Sequence, residues 1–184
     1  MIGKMDLGAF ENYVKNISDN FDEVYSKAFF EIDGQIMVDP EFTKKIGVLA
    51  SNFFYAWANS SWELINFLGK DRVFEILEKL TIARGGLWDV SEYGFYERLP
   101  VIITIYRGGR GTKEDVLLGF SWTQDLEIAK EFSKEFPDKH PQSLILTAEI
   151  SKNDVLLVNK DQYEIVPNPV MLRNIEVLHE SAYL

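Results

Sequence analysis

The hydrophobic period of the chain changes near Pro100. Before it, Phe42, Ile46, Leu49, Phe53, Ala56, Ser60, Leu64 and Phe67 recur at steps of three and four, which lines one face of a helix. Pro40 suits the first turn of that helix, where a missing N–H is no loss, and Gly69 suits its end. "DRVFEILEKLTIARGG" predicts a further helix ending at Gly85–Gly86, and an earlier one falls between Leu7 and Phe30. The first hundred residues therefore read as helical, with their aromatics as core.

Beyond Pro100 the runs become short and β-branched. "VIITIY" (Val101–Tyr106) predicts a buried strand, "RGGRG" (Arg107–Gly111) a loop, and "VLLGFSW" (Val116–Trp122) a second strand. Asp125–Phe136 predicts a helix with Leu126, Ala129, Phe132 and Phe136 on one face. "SLILTAEI", "DVLLV" and "YEIV" predict three strands, Pro167 and Pro169 break the chain, and "NIEVLHE" predicts a last strand. The class is α+β. Residues 1–98 form a helical N-terminal extension and residues 99–184 a β-rich core. The two are expected to pack as one cooperative unit.

Composition narrows the chemistry. The chain has no cysteine, which removes thiolate nucleophiles and disulfides. Its two histidines, His140 and His179, have no ligand spacing, so neither a metal site nor a Ser-His-Asp relay is expected. The net charge is −10, and neither half is basic, with 10 basic and 16 acidic residues in the first hundred and 9 and 13 in the rest. Non-specific binding to nucleic acid is disfavoured. The most apolar stretch, Ile46–Ala58, is shorter than the roughly 20 residues a membrane span requires. The N-terminus has no apolar signal core. A cytoplasmic protein, or one delivered into a target cell without a cleavable signal, is expected.

Several motifs fail on inspection. "GFSWT" lacks the last glycine of a nucleophile elbow, and "RGGRG" lacks the Lys-Ser/Thr ending of a phosphate loop. Acidic residues are common, but nothing selects a glycosidase pair. What remains is an ordered set. Arg107 leaves a strand into glycines, Ser121-Trp122-Thr123 ends the next, and "QYEIV" places Gln162 and Glu164 two apart. On an extended segment those two side chains share a face.

In this order the residues resemble the Arg / Ser-Thr-Ser / Gln-or-Glu-x-Glu pattern of mono-ADP-ribosyltransferases of the arginine-serine-glutamate class, including toxin-like bacterial and phage members. The resemblance covers roughly residues 101–168. Ser121 aligns with the first serine and Thr123 with the last, and the third position of that motif is not matched cleanly. It implies a core of two small β-sheets with an NAD cleft between them, and NAD as co-substrate. Arg107 would hold a phosphate, and the Gly108 backbone would approach the nicotinamide amide. Ser121 would fix the catalytic Glu164, with Thr123 joining it or capping the next helix. Trp122 or Phe132 would wall the ring, and Gln162 would face the acceptor. The implied partners are a macromolecular acceptor, a protein rather than nucleic acid, and an inhibitor or antitoxin protein. The Gln-x-Glu form is associated with acceptors other than arginine. NAD hydrolysis without an acceptor, and a catalytically silent binding protein on the same fold, are the competing readings.

Overall fold

The structure is a computed structural model that describes residues 7–82, 90–134, 142–160 and 163–182. It contains both helices and antiparallel sheet, as the α+β reading expects. The chain divides into two compact units, 1–88 and 89–184.

In the first unit, α1 (Leu7–Ala28) buries Phe10, Val14, Ile17 and Phe21, the residues at helical spacing. The second helix, α2 (Pro40–Leu68), starts where the sequence places it. Asp39 caps it by accepting from Glu41 N–H at 2.8 Å and Phe42 N–H at 3.2 Å. Gly69 ends it at φ 82°, its N–H donating to Ile65 O at 2.8 Å. The third helix, α3 (Lys70–Ile82), follows, while the expected stop at Gly85–Gly86 lies outside the described residues. Asp22 on α1 meets Arg72 and Lys79 on α3 at 2.7 and 3.0 Å, and Glu75 meets the same two cations. The hydrogen bond from Arg72, ahead of that from Lys79, holds the Asp22 carboxyl below its ordinary range. The network is largely solvated, so its stabilisation is at most about 1 kcal/mol.

One element of this unit departs from the helical reading. β1 (Phe29–Ile32) and β2 (Gln35–Val38) form an antiparallel hairpin. Its turn residues, Asp33 at φ 51° and Gly34 at φ 78°, both adopt the left-handed backbone of a two-residue hairpin turn. The Asp-Gly pair between apolar runs was a hairpin signal that the flanking helical periods masked.

The second unit begins at Asp89 rather than at residue 99, because α4 (Val90–Glu97) belongs to it. Tyr96 Oη donates to Lys152 O at 3.1 Å, and Lys152 Nζ donates to Glu97 O at 2.9 Å. The remaining elements are β3 (Ile102–Arg110), α5 (Lys113–Leu117), β4 (Trp122–Thr123), α6 (Leu126–Lys134), β5 (Gln142–Ser151), β6 (Val155–Asn159), β7 (Glu164–Pro167) and β8 (Arg173–Ala182). The strands form a single antiparallel six-stranded sheet in the order β6-β7-β4-β3-β5-β8, not two sheets. It is nevertheless nearly divided. β3 and β4 share one residue pair, Tyr106 with Thr123, whereas β3 and β5 share nine.

Two further expectations change. The "RGGRG" stretch is strand as far as Arg110, because β5 pairs with β3 through Arg110. Of "VLLGFSW" only Trp122 is strand, and its first residues end a helix. Thr112 and Asp115 form a capping box that starts α5, with Asp115 N–H donating to Thr112 Oγ1 at 3.2 Å and Thr112 N–H donating to Asp115 Oδ2 at 3.0 Å. Val116 turns inward from that helix. The edge strand β8 is irregular. Its register slips twice against β5, Asn174 has φ 51°, and Lys113 Nζ donates to Ile175 O at 3.1 Å. Among the described residues no helix is long and apolar enough to cross a membrane.

Candidate functional site

The site lies where the sheet parts. On β3, alternation turns Arg107 to the face that carries Ile103, Ile105 and, across the pair, the buried Leu146. The Arg107 guanidinium does not project freely. Nε donates to Val116 O at 2.7 Å, and Nη1 donates to Ser121 O. The group rests against Gly119, where an added Cβ would come within 1.5 Å of Nη2 and 2.0 Å of Cζ. Any side chain at residue 119 would therefore have to displace the Arg107 guanidinium. Burial lowers the Arg107 pKa to about 10, partly offset by the negative charge of Glu164. The guanidinium stays charged at neutral pH.

Glu164 opens β7 and is 7% exposed. Ser121 Oγ donates a hydrogen bond to its carboxylate. This joins residues 43 positions apart in sequence. Tyr163, immediately before, has φ 50°, a left-handed conformation uncommon for an aromatic residue, and is 53% exposed. Its N–H closes a turn to Lys160 O at 3.3 Å. Gln162 lies outside the described residues.

Thr123 is buried, and its Oγ1 accepts from Asp125 N–H at 3.0 Å. Asp125 then caps α6, accepting from Glu127 N–H at 2.8 Å and Ile128 N–H at 3.4 Å. The cap is thus Asp125, and Thr123 braces the turn that leads to it.

Two expected ligand contacts find a different explanation. Trp122 is 2% exposed and pairs with Ile165, so it turns into the core and offers no face to a nicotinamide ring. A single step along an extended segment reverses the side chain, which is why Ser121 and Trp122 part company. Gly108 is explained by helix packing. An added Cβ would lie 1.7 Å from Ala129 O, so the missing side chain lets the α6 backbone close on β3. Phe132, on α6, is 51% exposed.

The register adds residues that the sequence did not single out. Tyr106 pairs with Thr123, Thr123 with Glu164, and Glu164 with Asn159. Directly opposed residues project to one face. A polar row therefore crosses four strands around the carboxylate. Gly119 is also new, and its only signal was a glycine two places before Ser121. Asn159 had the signal of a polar residue closing the buried run Val155–Val158. A separate groove of about 380 Å³, lined by Leu126, Lys130, Ser133, Ile145, Leu178 and His179 among others, includes none of Arg107, Ser121 and Glu164. Comparison of the chain with known protein families, with curated proteins and with solved structures gives no match.

Proposed function

We propose that the second unit is an NAD-dependent mono-ADP-ribosyltransferase that moves ADP-ribose to a macromolecular acceptor and releases nicotinamide. The observation that carries this reading is the hydrogen bond from Ser121 to the buried Glu164, with Arg107 tied to the backbone of that same serine. The three residues resembling the family's set thus meet at one parting of a sheet.

The chemistry suits this arrangement. The bond between ribose C1′ and nicotinamide breaks with its electron pair leaving on the nicotinamide nitrogen, which becomes neutral. Positive charge grows on the ribose, and a fixed carboxylate next to it stabilises the transition state more than the ground state. Glu164 takes that role and accepts from the 2′-hydroxyl. Ser121 limits its rotation. A nucleophile of the acceptor then forms the new bond to C1′ and loses its proton. Of the five N–H donors of a guanidinium, Arg107 uses one on Val116 and one on Ser121. On this reading the remaining donors are the ones left for a phosphate of NAD. With Trp122 in the core, Tyr106 and Phe132 are the aromatic groups that serve as walls for the ring. The acidic chain favours a protein acceptor.

The test is incubation of the pure protein with NAD while nicotinamide release is followed. Glu164→Gln serves as control and is expected to be slower by about 10²–10³. Release that is equal in both proteins removes the assignment. Labelled NAD with a cell lysate then separates transfer from hydrolysis.

A further inference from the structure

We propose that Asn159 is a positioning residue for the Glu164 carboxylate, holding it from the β6 side while Ser121 holds it from the β4 side; this rests on the transferase reading above. Glu164 stands on the middle strand of β4-β7-β6, so it has a direct neighbour on each flank. On β4 that neighbour is Thr123, whose hydroxyl accepts the Asp125 N–H and has a single O–H of its own to donate. On β6 it is Asn159. Directly opposed residues of neighbouring strands have Cβ atoms about 4.5–5.5 Å apart, within reach of an amide and a carboxylate.

Burial raises the weight of each such neighbour. A carboxylate accepts hydrogen bonds from about four directions, and a desolvated one is costly when they stay empty. Glu164 is 7% exposed, so little of its hydration survives. Ser121 fills one direction from the diagonal position, two residues before Thr123. The Asn159 amide brings two donors without a charge. A lysine in its place would neutralise the charge that the oxocarbenium requires, and an aspartate would repel it. Four buried apolar residues, Val155–Val158, fix the strand that presents it, and the pairing of Asn159 with Glu164 closes that ladder.

The experiment compares Asn159→Asp, Asn159→Ala and Asn159→Gln with wild type, measuring kcat and KM for nicotinamide release together with the melting temperature. Loss of a hydrogen bond to a charged group corresponds to roughly 10- to 100-fold in kcat. Asn159→Asp, isosteric but carrying a negative charge, is expected at the far end of that range. Asn159→Ala falls nearer tenfold, and Asn159→Gln, which keeps the donors, recovers part of the loss. KM for NAD should move little, because the lost interaction belongs to the transition state. A residue that only fills space gives the opposite order, with alanine slower than aspartate. That order, wild-type kcat in Asn159→Asp, or a change confined to KM each overturns the inference. If Asn159→Asp does not fold, the alanine and glutamine pair decides, since only a donor role makes glutamine the faster. An inactive wild-type protein defeats the transferase reading itself, whereas an active wild type with unaffected variants defeats only the role of Asn159.

Discussion

The two halves of the six-stranded sheet are built on different terms. The β3-β5-β8 half has strands of 9 and 10 residues and nine uninterrupted pairs between β3 and β5. Its inward residues, such as Ile103, Ile105, Ala148 and Ile150, are buried and apolar. The β4-β7-β6 half has strands of two, four and five residues. Ladders that short hold little, and side chains bonded to backbone do much of the fixing instead. Arg107 ties Val116 and Ser121 together, the Thr112–Asp115 box starts α5, and Asp125 starts α6. Both halves bury apolar residues, but only the first adds long ladders, while the second borders the polar ties that form the candidate site.

That contrast is open to attack at several points. The largest effect is expected from Ile103→Ala in the paired half. Truncating a fully buried isoleucine costs about 2–5 kcal/mol of stability. Because Ile103 is remote in register from Arg107 and Glu164, kcat per folded molecule should stay unchanged; denaturant unfolding with parallel turnover assays checks both, and a fall in kcat erases the distinction between the halves. Gly119→Ala should be smaller in stability, about 1–3 kcal/mol for overpacking. It should strike activity as well, because the added methyl displaces the Arg107 guanidinium. A variant with normal NAD affinity and normal melting would show that the contact between Gly119 and Arg107 is dispensable. The smallest change, of about 1–2 kcal/mol, is expected from Arg107→Lys, which keeps the charge but loses the planar fork whose separate nitrogens reach the Val116 and Ser121 carbonyls. Calorimetric titration with NAD and a thermal melt should both register it, and an unaltered pair of curves returns Arg107 to an ordinary cation.

Much of this was legible before any coordinates. Pro40 and Gly69 bracketed α2 because capping is local chemistry, and a helix was expected between Leu7 and Phe30, where α1 lies. The link from Ser121 to Glu164 was expected from the order of the motif. What escaped were features decided by partners distant in sequence. The glycines at 108 and 109 looked like a loop, since nothing local says that β5 will pair with them or that α6 needs the space. Trp122 looked available because a two-residue strand is too short to show which way its side chains alternate. Tyr106 and Asn159 joined the site only through cross-strand register, which no single segment encodes. The Asp33–Gly34 turn is the exception. It was local and readable, but the long helical periods on either side outweighed four-residue strands.

The irregular β8 has a consequence for life at high concentration. An open sheet has two rims on which a foreign strand can template itself, and a straight, unguarded rim invites fibrils. Here one rim is spoiled by two slips of register, by the kink at Asn174, and by a lysine seated on the Ile175 carbonyl. The other, β6, is five residues long and slips against β7 between Val155 and Leu157. The six-stranded sheet thus ends on both sides in irregular outlines that a growing aggregate copies poorly.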